Sequence, residues 1–297
     1  MERPLVVGVD GSEPGLLAVD WAADEAVRQG LPLRIVHASL WERYEADALE
    51  ETPGADADLV TEHDLAEGIL AQASDRARRR ASTLEIGTDL VPQDAVSALL
   101  REAAHATAVV TGSRGRGPIR ELLLGSVSLS LSARAPCPVV VVRGSLRNRD
   151  VANGRVVLGV GGSATGPAAA RFAFREAAVR HSVLEVVRVW HRPAHRAAGH
   201  PLLRGEPAHH LEEEAWALVD DALRAMGEPD VSSRPDVRRV VTEGSVRQVL
   251  LARSAAADLL VVGAHRRHGR LGPQLGVVGH TMLHHADCPV AVVPHQD

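Results

Sequence analysis

The sequence predicts an α/β protein made of two tandem copies of one parallel-sheet domain, and three observations predict it. The chain has 297 residues, about twice the roughly 150 residues of a typical domain. A single offset of 151 positions lays Leu5-Val6-Val7-Gly8-Val9-Asp10-Gly11-Ser12 on Val156-Val157-Leu158-Gly159-Val160-Gly161-Gly162-Ser163. The same offset carries Gly15 to Gly166, Gly112 to Gly263, Gly125 to Gly276 and Cys137-Pro138-Val139 to Cys288-Pro289-Val290. One unchanged register means a duplicated domain rather than a solenoid of short repeats. Within each copy, short β-branched runs alternate with longer stretches of helical spacing, the pattern of parallel strands joined by crossover helices.

Taken in order, the first copy predicts strands at 5–10, 33–38, 84–90, 108–112 and 138–142, with helices near 14–29, 63–82, 94–106 and 125–134. The second predicts strands near 155–160, 184–190, 237–242, 259–263 and 290–293, with helices near 167–181, 209–226, 246–257 and 276–286. Apolar residues make up 45% of the chain but aromatics only 2%, so the cores must be built from Val, Leu, Ile and Ala, the material of buried parallel strands. An acidic stretch at 42–62 and a His/Arg/Pro/Gly-rich one at 191–208 read as surface loops. The polar segment 144–150 links the copies and is too short to let them roam far apart. The expected domains are residues 1–144 and 154–297.

A net charge of −5 and a pI near 6.3 supply no positive field to draw the chain onto nucleic acid or anionic lipid. No apolar run approaches the ~20 residues needed to span a bilayer, and Met1-Glu2-Arg3-Pro4 leads into a strand rather than a signal peptide. The expectation is a cytoplasmic protein with no nucleic-acid or membrane partner. Cys137 and Cys288 each precede Pro-Val and an apolar strand, which reads as a pair of buried reduced thiols. The chain contains no lysine, which removes a Walker-type phosphate lysine and a Schiff-base lysine together.

Two loops of the first copy would meet at the carboxyl edge of such a sheet, where open α/β folds bind ligands. In Val9-Asp10-Gly11-Ser12, Gly11 permits a tight turn and the Asp10 carboxylate can accept hydrogen bonds from ribose hydroxyls or an adenine amine. The alternative is that Asp10 caps the next helix. Thr111-Gly112-Ser113-Arg114-Gly115-Arg116-Gly117 leads to Gly125-Ser126-Val127-Ser128 at a helix start. There, glycines let main-chain N–H groups approach an anion, and the helix end adds free N–H groups and a favourable dipole. Ser126 and Ser128 can offer hydroxyls to phosphate, and Arg114 and Arg116 charge from the rim.

The spacing is the specific part. Gly112, two residues, Gly115, nine residues, then Gly125-Ser126 is the nucleotide-binding signature of the universal stress protein family, which both copies resemble outside the loops at 42–62 and 191–208. The resemblance implies Rossmann-like domains, each a five-stranded parallel sheet of order 3-2-1-4-5 with helices on both faces. It implies ATP as ligand, with or without Mg2+. It implies Val9, Asp10 and Val36 around adenine and ribose, and Gly112, Gly115, Gly125, Ser126, Val127 and Ser128 around ribose and phosphates. It further implies pairing of domains through their last strands, within the chain by Val139–Val142 and Val290–Val293 or in a homodimer.

The offset also exposes damage in the second copy. Asp10 becomes Gly161, Gly115 becomes Arg266 and Ser126 becomes Val277. A carboxylate and a hydroxyl are lost and a long side chain stands where backbone should face phosphate. Hydrogen bonds worth about 0.5–1.5 kcal/mol each are forfeited, so the site is expected to be degenerate. The alternative is a residual second site of Gly263, Arg266 and Gly276 in which Arg266 grips an anion. Twelve of the fifteen histidines lie here, and His280 and His284 at i, i+4, with His265 and His268 in the preceding loop, have a spacing from which a metal site could be made. No strict zinc motif accompanies them, and none is expected. The expected function is a nucleotide-dependent stress or regulatory module. The alternatives are an enzyme limited to slow ATP hydrolysis, since neither paired acidic metal ligands nor a pyrophosphatase-type loop is present, and a nucleotide-free binding scaffold.

Overall fold

The computed structural model describes residues 3–40, 62–113, 124–144, 153–162, 166–192, 208–226, 234–264, 266–269 and 272–295. The two variable loops at 42–62 and 191–208 fall almost wholly outside the described residues, as do Arg114, Gly115, Arg116 and Gly117. Two compact units emerge, the first formed by Met1–Arg143 with His268–Gln274 and the second by Gly144–Arg267 with Leu275–Asp297.

In the first unit the chain runs β1 (Leu5–Val9), α1 (Glu13–Gln29), β2 (Leu33–Ala38), α2 (Glu62–Arg80), β3 (Ile86–Val91), α3 (Ala95–Ala103), β4 (Ala108–Gly112), α4 (Ser126–Arg134) and β5 (Val139–Val142). The strands lie in the order β3-β2-β1-β4-β5 and every neighbouring pair is parallel. Leu5 faces Leu33 on one side and Ala108 on the other. β1, β4 and β5 are nearly continuous runs of buried aliphatic residues, as required of strands covered on both faces. β3, at the order's end, is only partly buried.

Local signals set the helix ends. Ser12 is the N-cap of α1 and Pro14 sits in its first turn, where a missing N–H costs nothing. Gly30 closes the helix at φ +67°, and the N–H of Leu31 returns to the Ala26 carbonyl at 2.9 Å, the left-handed stop that glycine permits. α1 and α2 are tied by two fork-to-fork pairs: Arg76 donates to Asp20 at 2.8 and 2.6 Å, and Arg80 to Asp24 at 2.7 Å through each nitrogen. Gly8 admits α3 onto the sheet, since a methyl group there would lie 2.7 Å from Leu99 Cδ1.

The second unit repeats the plan with β6 (Arg155–Gly159), α5 (Gly166–Val179), β7 (Val183–Trp190), α6 (Ala208–Ala225), β8 (Val237–Glu243), α7 (Val246–Ser254), β9 (Leu259–Gly263), α8 (Val277–His285) and β12 (Val290–Val293). Its parallel order is β8-β7-β6-β9-β12, the same 3-2-1-4-5 arrangement. The Gly8–Leu99 contact recurs 151 positions on: a methyl on Gly159 would lie 3.0 Å from Leu250 Cδ1. One departure from the sequence reading follows β9. β10 (Arg266–Gly269) and β11 (Gly272–Leu275) form a separate two-stranded sheet where a loop carrying His265 and His268 was expected. These residues show no apolar alternation, so the ladder rests on main-chain pairing that periodicity cannot reveal.

Cys137 and Cys288 are both buried and form no disulfide. Burial pushes the Cys137 thiol up to about 11. Among the described residues no helix is long and apolar enough to cross a membrane.

Candidate functional site

β1 ends at Val9, and the turn beyond it is built by its own side chains. Gly11 adopts φ +74°, a conformation that costs other residues strain. Asp10 Oδ1 accepts hydrogen bonds from the Ser12 main-chain N–H at 3.0 Å and from the Ser12 hydroxyl at 2.5 Å, while Ser12 Oγ accepts from the Gly15 N–H at 3.2 Å. Ser12 therefore caps α1, and Asp10 does not. Asp10 holds the cap, and the turn presents a carboxylate beside the helix N-terminus.

The second loop is brought against the first. β4 neighbours β1, and its last residue, Gly112, lies so close to the start of α1 that a methyl group there would sit 2.5 Å from the Pro14 carbonyl oxygen and 3.0 Å from the Gly15 nitrogen. A methyl on Gly15 would in turn lie 3.0 Å from Asp10 Oδ1. Asp10, Gly15 and Gly112 thus form one continuous contact, in which Gly112 meets the main chain at the start of α1 and Gly15 meets the side-chain oxygens of Asp10 and Ser12. From Gly112 the chain continues to Ser113, whose N–H donates to Val142 at 3.1 Å and whose carbonyl receives the Gly125 N–H at 2.9 Å. That bond fixes Gly125 as the N-cap of α4, an end with no side-chain cap. The first-turn N–H groups of α4 accordingly have no side-chain acceptor from the cap, the arrangement that receives anions at helix starts.

Of the residues singled out from sequence, Val9, Asp10, Gly11, Ser12, Gly112, Ser113, Gly125, Ser126, Val127 and Ser128 belong to the two loops so joined. Val36 lies on β2, opposite Gly8 and 1% exposed. Ser126 is exposed and Val127 partly so. Ser128, expected to offer its hydroxyl to phosphate, is buried and donates it to the Gly112 carbonyl at 2.8 Å. Its role here is to fasten α4 to the end of β4. Arg114 and Gly115 lie outside the described residues.

Sequence reasoning missed His37. This buried side chain on β2 places Nδ1 2.8 Å from the Val9 carbonyl oxygen. A carbonyl can only accept, so Nδ1 carries the proton and the ring pins the end of β1. A signal existed in the repeat: position 37 plus 151 is 188, where Arg188 donates through Nη1 to the Val160 carbonyl at 3.1 Å. Two unlike side chains thus perform the same fastening in the two copies.

In the second unit, Gly263 and Gly276 line a cavity of about 300 Å³ together with Gly161 and Gly162. Gly276 is the N-cap of α8, again without a side-chain cap. Arg266 lies on β10. Gly162 does not share the positive φ of Gly11, so the two turns differ in backbone as well as in the lost carboxylate. His280 and His284 stack with ring centroids 4.4 Å apart. Among the described residues no group of three or more His, Cys, Asp or Glu side chains could hold a metal ion.

Comparison with known proteins decides what kind of domain this is. A model of the universal stress protein family matches residues 1–143 and again 152–294. The chain belongs to the universal stress protein family. It is 33% identical over 299 residues to universal stress protein Rv2005c of Mycobacterium tuberculosis, with 98% of this chain and 97% of the relative covered. Universal stress protein Rv2623 of the same organism is 29% identical over 307 residues, with 97% and 95% covered. Among solved structures, a universal stress protein from Archaeoglobus fulgidus superimposes with a TM-score of 0.67 at 14% identity, covering 99% of this chain and 98% of that one. This likeness shows a shared fold along nearly the whole of both chains.

Proposed function

We propose that this universal stress protein is a nucleotide-dependent regulatory module that binds an adenine nucleotide, ATP in the first instance, in its first domain. The observation that carries the proposal is the continuous contact from Asp10 through Gly15 to Gly112. It brings a carboxylate, two side-chain-free backbone segments and the uncapped start of α4 into one place. The residues fit the ligand. Asp10 accepts hydrogen bonds from ribose hydroxyls or the adenine amine, while Gly112 and the first turn of α4 let main-chain N–H groups meet phosphate oxygens. The exposed Ser126 adds a hydroxyl, and His37 keeps the mouth of β1 in place. No lysine serves the phosphates, so the binding rests on main-chain donors and arginine.

Bound ligand stabilises whichever state binds it by mass action, so nucleotide level acts on the lifetime of the liganded arrangement. That is a means of regulation without turnover. Mass spectrometry of small molecules released from freshly purified protein, paired with isothermal titration, tests the reading. Nucleotide in the wild type and weakened binding after Asp10→Ala support it. Absence of binding, or binding indifferent to Asp10→Ala, refutes it.

A further inference from the structure

The second unit's cavity differs in chemistry from the site proposed in the first. It lies at the carboxyl ends of β6, β7 and β9 and beside the start of α8, and Val160, Val189, Leu250, Leu275, Val277 and Val278 supply its apolar lining. Its volume of about 300 Å³ stands at the small end of ligand pockets. No Asp or Glu is found among the described lining residues, and the place of Asp10 is taken by Gly161. Leu275 also walls off the start of α8, since a methyl on Gly279 would lie 3.1 Å from Leu275 Cγ. Gly279 occupies the position of Ser128.

One charged side chain lines this cavity among the described residues, and it is Arg188. Nη1 is spent on the Val160 carbonyl. Nε is buried and has no hydrogen-bond partner among the described residues. No carboxylate of the described residues pairs with Arg188, whereas Arg76, Arg80, Arg34, Arg180 and Arg253 all have one. Desolvation by burial lowers the pKa of the Arg188 guanidinium, the mark of a cation withdrawn from water without a compensating charge. A half-buried guanidinium with no carboxylate partner among the described residues is costly, and a carboxylate in the cavity would supply the missing charge.

We propose that the second domain binds a compact, mostly apolar monocarboxylate, its carboxylate paired with the Arg188 guanidinium and its hydrocarbon or ring among the valines and leucines. The uncapped start of α8 adds partial positive charge to the same cavity. Among the described lining residues a nucleoside phosphate finds no carboxylate for its ribose and amine, and one cation for its dianionic tail. The tandem protein then reads two ligands of different chemistry, one per domain.

The test uses the full chain, with hexanoate and benzoate as probes, hexanol as the uncharged control, and ATP. Isothermal titration should show one carboxylate per chain, additive with ATP, and at least tenfold weaker hexanol. Arg188→Gln should weaken hexanoate tenfold or more, with Arg188→Lys intermediate, because charge-assisted hydrogen bonds are worth that factor. Arg188 also fastens β6, so a second variant guards against misfolding. Val277→Glu lies at a position 60% exposed, in a first helical turn that accepts acidic residues, and should weaken hexanoate similarly by repulsion. The proposal is overturned if hexanol binds as tightly as hexanoate, if no probe binds, or if a second ATP per chain appears and is removed by Arg188→Gln.

Discussion

Gly112→Ala is the sharpest perturbation of the junction between the two loops. The added methyl would lie 2.5 Å from the Pro14 carbonyl oxygen, 2.6 Å from its carbon and 3.0 Å from the Gly15 nitrogen. All three are main-chain atoms at the start of α1, held by the Ser12 cap, so no side-chain rotation relieves the contact. Overpacking of this kind costs about 1–3 kcal/mol, and the rigid neighbours put Gly112 at the upper part of that range, about 2–3 kcal/mol. Gly8→Ala meets Leu99 Cδ1 at 2.7 Å, but a flexible side-chain tip can move, so about 1 kcal/mol is expected. Gly87→Ala meets nothing within 4 Å and should be neutral or stabilising by up to about 1 kcal/mol. A two-unit chain does not have one global unfolding free energy, so the assay is hydrogen exchange read peptide by peptide. Opening of β1 and β4 should accelerate by roughly thirty- to 150-fold in Gly112→Ala, with the second unit unchanged. Equal protection in Gly112→Ala and Gly87→Ala would refute the close approach of the two loops.

Ser12→Ala removes the cap of α1 and should cost about 1 kcal/mol, while Asp10→Ala should reduce adenine-nucleotide affinity more than Ser12→Ala does; titration of both variants checks the order. In the second unit Arg180 and Glu176 form a buried pair at 2.8 Å, so Arg180→Gln should destabilise that unit by about 3–5 kcal/mol, measured by domain-resolved exchange. In the first unit the matching Glu25 takes Gln29 and a cation from Arg28 instead, so the double change Arg180→Gln with Val179→Arg should restore most of the loss. Cys137, pushed up by burial to about 11 from 9.0, should resist a thiol reagent at pH 8 until the protein is denatured. Its thiol ionises earlier in the unfolded chain, so the first unit should lose stability as pH rises through 9 to 11, by roughly 2–3 kcal/mol at most. Cys137→Ala should flatten that decline in a pH series of thermal melts.

Most of the fold was legible because buried parallel strands are written in the sequence as aliphatic runs, and the 151-residue offset let each copy check the other. The glycines at 8, 112 and 159 were visible in the repeat, but the close packing each permits is seen only in the fold. What periodicity does not encode was less visible. The β10–β11 ladder is formed by Arg, His, Gln, Gly and Pro with Leu275 as its one aliphatic residue. His37 and Arg188 act through a register that only the paired strands reveal, although their shared position in the repeat was readable. The division of labour between Asp10 and Ser12 depends on the left-handed turn at Gly11, and Ser128 turned inward because the end of β4 offers it a carbonyl. In the second copy the substitutions at 161 and 277 were readable, but not that Arg188 would be the charged side chain lining the cavity among the described residues.

Equilibrium dialysis of the full chain against ATP measures the central claim directly, since it counts occupied sites. The account predicts about one nucleotide per chain, lost on Asp10→Ala and retained on Arg188→Gln. Two per chain, or none, would contradict it.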